Sequence, residues 1–281
     1  MKYLVLSVAC LIWPLVAAAD EPAAISKADQ EYWSQGSPRL FGSIRIDVGY
    51  IYLRPIMSVG YGRPFHSFVG LDVLPAITNT GFAAYGGIRA AYFPWIELRS
   101  GVRYEIDFDR SFLTPKTKYD RFDLDDRTLP GGAHHATIEN ELNLQVRTFF
   151  GVLTLQSSAY YVFDTPRGVN VFEDELRVIT TPPWLFREKF GYRIRIKFVQ
   201  IGPIAEVLYN PQRSNDIAVR AGISIAAILS PHLEVLADLV PVVYGRDNLG
   251  FAGGDFGTLG FRYRLATGSG GTDTWDSFLR Q

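Results

Sequence analysis

The sequence predicts an all-β fold in which antiparallel strands run up and down a closed barrel, with about 12 strands and a range of roughly 10 to 14. Three observations support this prediction. Aromatic residues make up 14% of the chain and glycine occurs 26 times, a mixture that favours strands and tight turns. Apolar and polar residues alternate over long segments, and the connections between these segments are short and long in turn.

Length and charge exclude other classes of protein. With 281 residues, 47% hydrophobic and 20% charged, the chain can bury a large core and is not mainly disordered. A formal net charge of −1 gives no bulk attraction to a polyanion, so we expect no nucleic-acid partner. The mature chain has no uninterrupted apolar run of about 18 residues, so we expect no transmembrane helix in it.

The first residues have the order of a secretory signal peptide. Met1-Lys2 supplies a positive charge, Tyr3–Val16 is almost wholly apolar, and three alanines precede Asp20. We expect cleavage before Asp20. This cleavage would also remove Cys10, the one cysteine of the chain, so the mature protein would have no disulfide.

The alternation of apolar and polar residues is clearest in four segments. In Ile138–Arg147 one side is aliphatic and the other carries glutamate, asparagine, glutamine and arginine. In Phe190–Phe198 one side is apolar and the other is almost entirely basic. Ile96–Phe108 and Leu259–Leu265 repeat the pattern. A period of two over such lengths is typical of β-strands.

Taken in order, the pattern places strands at residues 42–53, 55–63, 66–76, 81–93, 95–109, 136–150, 152–163, 184–198, 201–209, 216–228, 232–244 and 257–266. Long loops are expected at Arg110–His135, Asp164–Pro183 and Gly245–Phe256. Because this count is even, both chain ends and all tight turns fall at one end of the barrel, and the long loops fall at the other. The strand at 55–63 is the least regular, because Pro55 cannot donate a backbone hydrogen bond.

The apolar face of these strands has two possible environments. In a soluble β-sandwich it would pack against a second sheet, whereas in an outer-membrane barrel it would contact lipid and the charged face would line the lumen. The predicted strand lengths are near the roughly 9–11 residues that a tilted strand needs to cross a bilayer, which favours the barrel. Aromatic residues near the strand ends, such as Phe149 and Phe150, favour it as well. A soluble periplasmic β-sandwich binding protein is the alternative.

The last predicted strand supports the membrane interpretation. In Thr258–Leu265 a polar residue is followed two positions later by glycine, and then by aromatic and apolar residues at alternating positions. This segment resembles the terminal β-signal of Gram-negative outer-membrane β-barrel proteins, although here Ala266–Gln281 follows it. The resemblance implies export to the cell outer membrane, contact with outer-membrane lipid, and recognition by the barrel-assembly machinery during biogenesis. The expected organisation is a signal peptide at 1–19, a periplasmic lead-in at 20–40, the β-barrel at 41–266 and a periplasmic tail at 267–281.

Charged side chains on the inward face form two groups in this arrangement. A basic ladder consists of Arg99, Arg103, Arg147, Lys189, Arg193, Arg195, Lys197, Arg262 and Arg264. An acidic mouth near the long loops consists of Glu105, Asp107, Asp109, Glu139 and Glu141. Like charges on paired strands need compensation, which ion pairs with arginines, a divalent cation or a shared proton could supply.

Three functions follow from these groups. The first hypothesis is a porin-like channel for small solutes, with anionic ones favoured by the basic ladder, or a structural barrel without enzymatic activity. The second is an outer-membrane hydrolase acting on lipid or peptide through the carboxylates of the lumen mouth. The third is the soluble binding protein. No residue is assigned as catalytic, and no cofactor is expected other than a divalent cation at the acidic mouth.

The four histidines suggest little chemistry. His134 and His135 follow glycines in the longest predicted loop, and adjacent residues on an extended chain point apart, so they make a poor chelate. We expect them in an exposed loop. The pair His66-Ser67 is likewise adjacent on a strand and does not form a hydrolase site.

Overall fold

The computed structural model describes residues 32–49, 52–78, 81–107, 112–124, 133–196, 198–256 and 259–267. The expected signal peptide, Asp109, Lys197 and the predicted tail beyond residue 267 lie outside these ranges. No helix among the described residues is both long and apolar enough to cross a membrane.

The described chain is built almost entirely from strands, which we number in order. They are β1 (Arg39–Gly49), β2 (Tyr52–Arg63), β3 (Ser67–Thr78), β4 (Gly81–Phe93), β5 (Ile96–Asp107), β6 (Phe112–Leu113), β7 (Ala133–Arg147), β8 (Gly151–Phe163), β9 (Asn170–Glu173), β10 (Val178–Thr180), β11 (Trp184–Ile196), β12 (Val199–Asn210), β13 (Asp216–Ile228), β14 (Leu233–Leu239), β15 (Val242–Tyr244) and β16 (Gly260–Ala266). Two short 3-10 helices lie at Phe122–Leu124 and Gly250–Gly253.

Twelve of the described strands, namely β1–β5, β7, β8, β11–β14 and β16, form a closed antiparallel up-and-down β-barrel. The ring closes where β1 pairs with β16, from Ser43 opposite Ala266 to Gly49 opposite Gly260. Closure leaves no free sheet edge along the wall, which satisfies the backbone hydrogen bonds of every strand from within the barrel. The predicted fold class is confirmed, and the wall is a single sheet rather than the two packed sheets of a sandwich.

Two proline positions shape the wall. The strand predicted at 55–63, the least regular one, is present as part of β2. The pairing of β2 with β3 has a gap between Leu53 and Met57, around Pro55. The predicted strand at 232–244 is wrong as one element: it divides into β14 and β15. Pro241 lies at the division, where its missing N–H cannot continue the ladder.

The side chains alternate between the outside and the inside of the barrel. On β3, Val69, Leu71 and Val73 are exposed. The intervening Gly70 and Asp72 are buried. Apolar side chains therefore cover the outer surface, and charged side chains such as Arg89 and Glu206 are buried in the interior.

The long loops fold together over one end of the barrel, which we call the long-loop end. A small sheet of β6, β9 and β10 joins with the two 3-10 helices, and we call this assembly the cap. Its core consists of Leu113, Tyr119, Leu124, Phe172, Ile179 and Leu249. The cap therefore has a small hydrophobic core of its own, made by residues from three different loops.

The opposite end, which we call the short-turn end, carries only tight connections and the start of the described chain. Residues 32–34 are helical and place Trp33 against this end, where it is buried. Its indole Nε1 donates to the carbonyl oxygen of Pro231 at 3.0 Å, and its ring lies edge-on to Phe65. The lead-in segment thus partly covers the entrance to the lumen.

Candidate functional site

The lumen contains a cavity of about 540 Å³ at the short-turn end, which we call the vestibule. Trp33 and Phe65 line it where the lead-in meets the barrel. Its charged lining consists of Arg45, Arg89, Lys189, Arg193, Arg262 and Arg264 with Glu97, Glu234 and Asp238. Basic side chains outnumber acidic ones in this lining, so the vestibule can attract small anions.

Ion pairs in the vestibule leave part of this positive charge uncompensated. Asp47 contacts both Arg45, at 3.3 Å, and Arg262, at 2.7 Å. Glu234 accepts a hydrogen bond from Arg264 at 2.7 Å. The Arg193 side chain forms no hydrogen bond or ion pair with the part of the chain that the structure describes. Arg193 is therefore a basic group of the vestibule that has no counterion among the described residues.

Arg103 is the centre of a second charged site, at the junction between the wall and the cap. This guanidinium group is almost fully buried on β5 and contacts four carboxylates. Glu105 and Glu139 come from the wall, whereas Glu173 and Glu175 come from the cap, each 3.0 Å from Arg103. One buried cation therefore connects the wall to the cap, and we call this site the cap anchor.

The cap anchor also contains a buried histidine. His135 on β7 lies directly opposite Glu105 on β5 in the strand register. Its Nε2 atom is 2.9 Å from Glu173 Oε1 and 3.4 Å from Glu105 Oε2. Thr137 donates a hydrogen bond to the same oxygen of Glu173 at 3.3 Å. An imidazole and two carboxylates, three groups that can exchange protons or bind a metal, thus converge away from solvent.

The position predicted for His135 is wrong. The loop ends earlier than expected, because β7 begins at Ala133, and His135 is fully buried. His134 points the other way and is exposed. The expectation that the side chains of adjacent residues point apart is confirmed. His135, however, points into the barrel instead of lying in an exposed loop.

The acidic mouth is only partly assembled as a unit. Glu105 and Asp107 are buried near the cap anchor, and Glu139, which contacts Arg103 there, is half-buried. Glu141 accepts a hydrogen bond from Asn143 at 2.7 Å and belongs to a lower level of the barrel. Sequence reasoning missed Glu173 and Glu175, because the loop that carries them shows no period-two pattern.

The basic ladder divides between different levels of the lumen. Arg99 stacks over the ring of Tyr85, with its guanidinium carbon 4.0 Å from the ring centre. Arg147 is exposed near the short-turn end and Arg195 is half-buried. Arg103 lies in the cap anchor, while Arg193, Arg262 and Arg264 line the vestibule. The ladder is therefore not one continuous row of unpaired charges.

Further contacts tie the cap to the wall. Lys189 lies 3.1 Å from Asp255, which belongs to the last long loop. Burial raises the pKa of this carboxyl, but Lys189 and Arg187 outweigh burial and hold the pKa of Asp255 below its usual value. Arg220 on β13 donates to the carbonyl oxygens of Leu176 and Arg177 at 2.8 Å. The cap is thus held by charged groups from several sides.

No protein-family model matches the chain, and no curated protein matches it either. The fold and the two charged sites are therefore the basis for assigning a function.

Proposed function

We propose that the protein is an integral β-barrel of the outer membrane that acts as a porin-like channel for small solutes, with anions favoured. The observation that carries this proposal is the direction of the side chains, apolar outside and charged inside. An apolar exterior of this extent costs free energy in water and is stabilised by hydrocarbon. The charged interior suits a water-filled lumen.

The positions of the exposed aromatic side chains support insertion in a bilayer. At the short-turn end the exposed aromatic residues include Tyr61, Tyr92, Phe93, Trp95, Phe149, Phe150 and Phe198. At the long-loop end, Trp184 packs edge-on to Tyr161, with ring centres 4.9 Å apart. Two aromatic belts separated by an aliphatic zone are typical of barrels at the two interfaces of a bilayer.

The vestibule supports a preference for anions. Its lining has more basic than acidic groups, and Arg193 supplies a cation without a counterion among the described residues. The tight turns of outer-membrane barrels face the periplasm, so the vestibule would open on that side. The cap closes the other end, and solutes would pass only when the cap moves away from the lumen.

The hydrolase alternative has less support. Its candidate residues are Glu105, Asp107, Glu139 and Glu141. Glu141 is hydrogen-bonded to Asn143 at a lower level of the barrel, and the other three lie beneath the cap. Glu105 and Glu139 already pair with Arg103. In this conformation a lipid or peptide would have to displace the cap to reach them. A closed channel requires only that the cap moves, whereas a hydrolase also requires a substrate to reach carboxylates that are buried or paired with Arg103.

Membrane insertion is tested by fractionating cells that express the full chain. We expect the protein in the outer-membrane fraction, with a folded form that migrates faster on a gel than the boiled form. Recovery of a folded, detergent-independent protein in the soluble fraction would contradict the proposal.

Conduction is tested in planar bilayers with the purified chain. We expect single-channel steps with a reversal potential that shows anion preference, and we expect Arg193→Gln to reduce this preference, because the free cation of the vestibule is lost. Arg167→Gln is the matched control, since Arg167 is exposed in a loop and the same charge is removed. Correctly folded protein without any conductance would overturn the channel function, and equal effects of the two variants would overturn the role of Arg193.

A further inference from the structure

We propose that Glu105, His135 and Glu173 form a binding site for a divalent transition-metal ion, with zinc as the best candidate, that fastens the cap to the barrel wall. Glu105 and His135 are a cross-strand pair of the wall, and Glu173 belongs to β9 of the cap. The site therefore spans the two parts of the molecule that must separate for conduction. Its effect on conduction rests on the proposed function, but metal binding itself does not.

The distances between the three groups suit a metal ion. The three ligand atoms lie within 4.8 Å of one another, with Nε2 of His135 at 2.9 and 3.4 Å from the two carboxylate oxygens. Ligands at about 2.0–2.2 Å from zinc are separated by about 3.0–3.5 Å in tetrahedral or octahedral geometry. The separations in the site therefore allow coordination with small shifts of the side chains.

Each carboxylate uses its two oxygens for different partners. Glu105 contacts Arg103 through Oε1, and Glu173 contacts Arg103 through Oε2 at 3.0 Å. The remaining oxygens, Oε2 of Glu105 and Oε1 of Glu173, both face the imidazole of His135. Arg103 therefore orients the carboxylates from outside, as residues that support metal ligands do.

An unsatisfied buried atom points to a missing ligand. Glu105 is 4% exposed, and its Oε2 atom is buried and accepts no hydrogen bond from any described residue. A buried carboxylate oxygen without a hydrogen bond is costly. A metal ion beside His135 Nε2 would satisfy this oxygen directly.

The charge of the cap anchor also calls for a cation. Arg103 faces four carboxylates, and among the described residues Glu175 also forms an ion pair with Arg54 at 3.2 Å. Asp107 adds a further buried carboxylate, and its Oδ2 atom has no hydrogen-bond partner in the described chain. Negative groups thus exceed positive ones in a region shielded from solvent, where a dication is strongly favoured.

The ligand types select the metal. Calcium needs about six to eight oxygen ligands and has no use for an imidazole, so this set does not suit it. One histidine and two carboxylates resemble the mixed nitrogen and oxygen sets that bind zinc. This differs from the cation site expected at the acidic mouth, because only Glu105 is retained as a ligand, and His135 and Glu173 take the place of Asp107, Asp109, Glu139 and Glu141.

The test uses the folded full chain in detergent, freed of metal with a chelator and titrated with zinc in a calorimeter. We expect one zinc ion per chain, and we expect His135→Gln and Glu173→Gln each to weaken binding at least about tenfold. His134→Gln is the matched control, because it removes a neighbouring histidine that is exposed. Glu173→Gln lies in the cap and covers the case in which the His135 variant does not fold.

Zinc should also slow hydrogen exchange in residues 170–173 of the wild-type protein, because it joins the cap to the wall. Absence of zinc binding, or binding that both variants retain, would overturn the site and leave a histidine that is only hydrogen-bonded to Glu173. Binding without protection of residues 170–173 would overturn its role in fastening the cap. Neither result depends on conductance, so failure of the channel function is distinguished from failure of this site.

Discussion

Arg103 shows how one side chain organises a site in a barrel interior. Its guanidinium group has several donors in one plane and contacts carboxylates from the wall and from the cap. Removing such a group leaves several buried negative charges without their main partner. The resulting loss in the free energy of unfolding comes mainly from those unpaired buried charges, and less from the lost contacts themselves.

We therefore expect Arg103→Met to lower the free energy of unfolding by about 3–5 kcal/mol. Denaturant unfolding in detergent, followed by tryptophan fluorescence, measures the change. Arg147→Met is the matched control, because Arg147 is exposed and should change stability by less than about 0.5 kcal/mol. A loss below about 1 kcal/mol in Arg103→Met would show that the carboxylates of the cap anchor do not depend on this arginine.

At the level of single residues, the sequence predicts Arg103, Glu105 and Glu139 of the wall as inward-facing groups, but it predicts neither the buried His135 nor the residues from the cap. Arg103 and Glu105 fall on one face of the predicted strand because side-chain direction in a strand repeats every two residues. His135 was missed because the glycines before it indicated a loop. Glu173 was missed because its approach to Arg103, 70 positions away in the chain, depends on tertiary packing alone.

Among the strands, β11 carries an exception to the apolar exterior. Its inward face includes Arg187 and Lys189, so Glu188 between them points outward. Glu188 accepts a hydrogen bond from Ser157 on β8 at 2.6 Å. A carboxylate on a surface that contacts hydrocarbon is unfavourable, although one hydrogen bond reduces the cost.

Replacement of this residue tests which side of the wall contacts lipid. We expect Glu188→Leu to raise the stability of the barrel in lipid vesicles by up to about 2 kcal/mol, because a polar group leaves the apolar surface. Denaturant unfolding from vesicles measures this difference, with Ser157→Ala as a control for the hydrogen bond alone. A loss of stability in Glu188→Leu would mean that this face contacts water or another protein.

The elements differ in how far local sequence determines them. The wall strands were predicted closely, since period-two alternation is a property of neighbouring residues. The division into β14 and β15 was missed although Pro241 is visible in the sequence. The strands β6, β9 and β10 have two to four residues each and carry too little pattern to be recognised.

At the scale of the molecule, the cap is a cooperative unit rather than three separate loops. Leu113, Phe172 and Leu249 come from three different connections and share one small core. The apolar side chains of each loop are buried against those of the other two, so the order of one loop depends on the others. Weakening one link between the cap and the wall should therefore loosen the whole cap.

Arg213 offers such a link at the tip of the connection between β12 and β13. It forms two hydrogen bonds to Asp247 of the last long loop, one of them at 2.7 Å, and its guanidinium carbon lies 4.9 Å from the centre of the Tyr119 ring. Both contacts hold the cap, and a third contact, to Asp216 at 3.2 Å, reaches the first residue of β13 at the rim of the wall. Replacing this side chain should therefore loosen the cap while the wall strands keep their pairing.

We expect Arg213→Ala to increase the fraction of time that the channel is open by at least about tenfold, which corresponds to about 1.4 kcal/mol between closed and open states. Planar-bilayer recordings measure this fraction, and Arg167→Ala controls for loss of an exposed loop charge. Limited proteolysis should cleave the cap of Arg213→Ala faster than that of the wild-type chain. Faster proteolysis with unchanged conductance would show that the cap does not close the pathway, and unchanged results in both assays would show that Arg213 does not hold the cap.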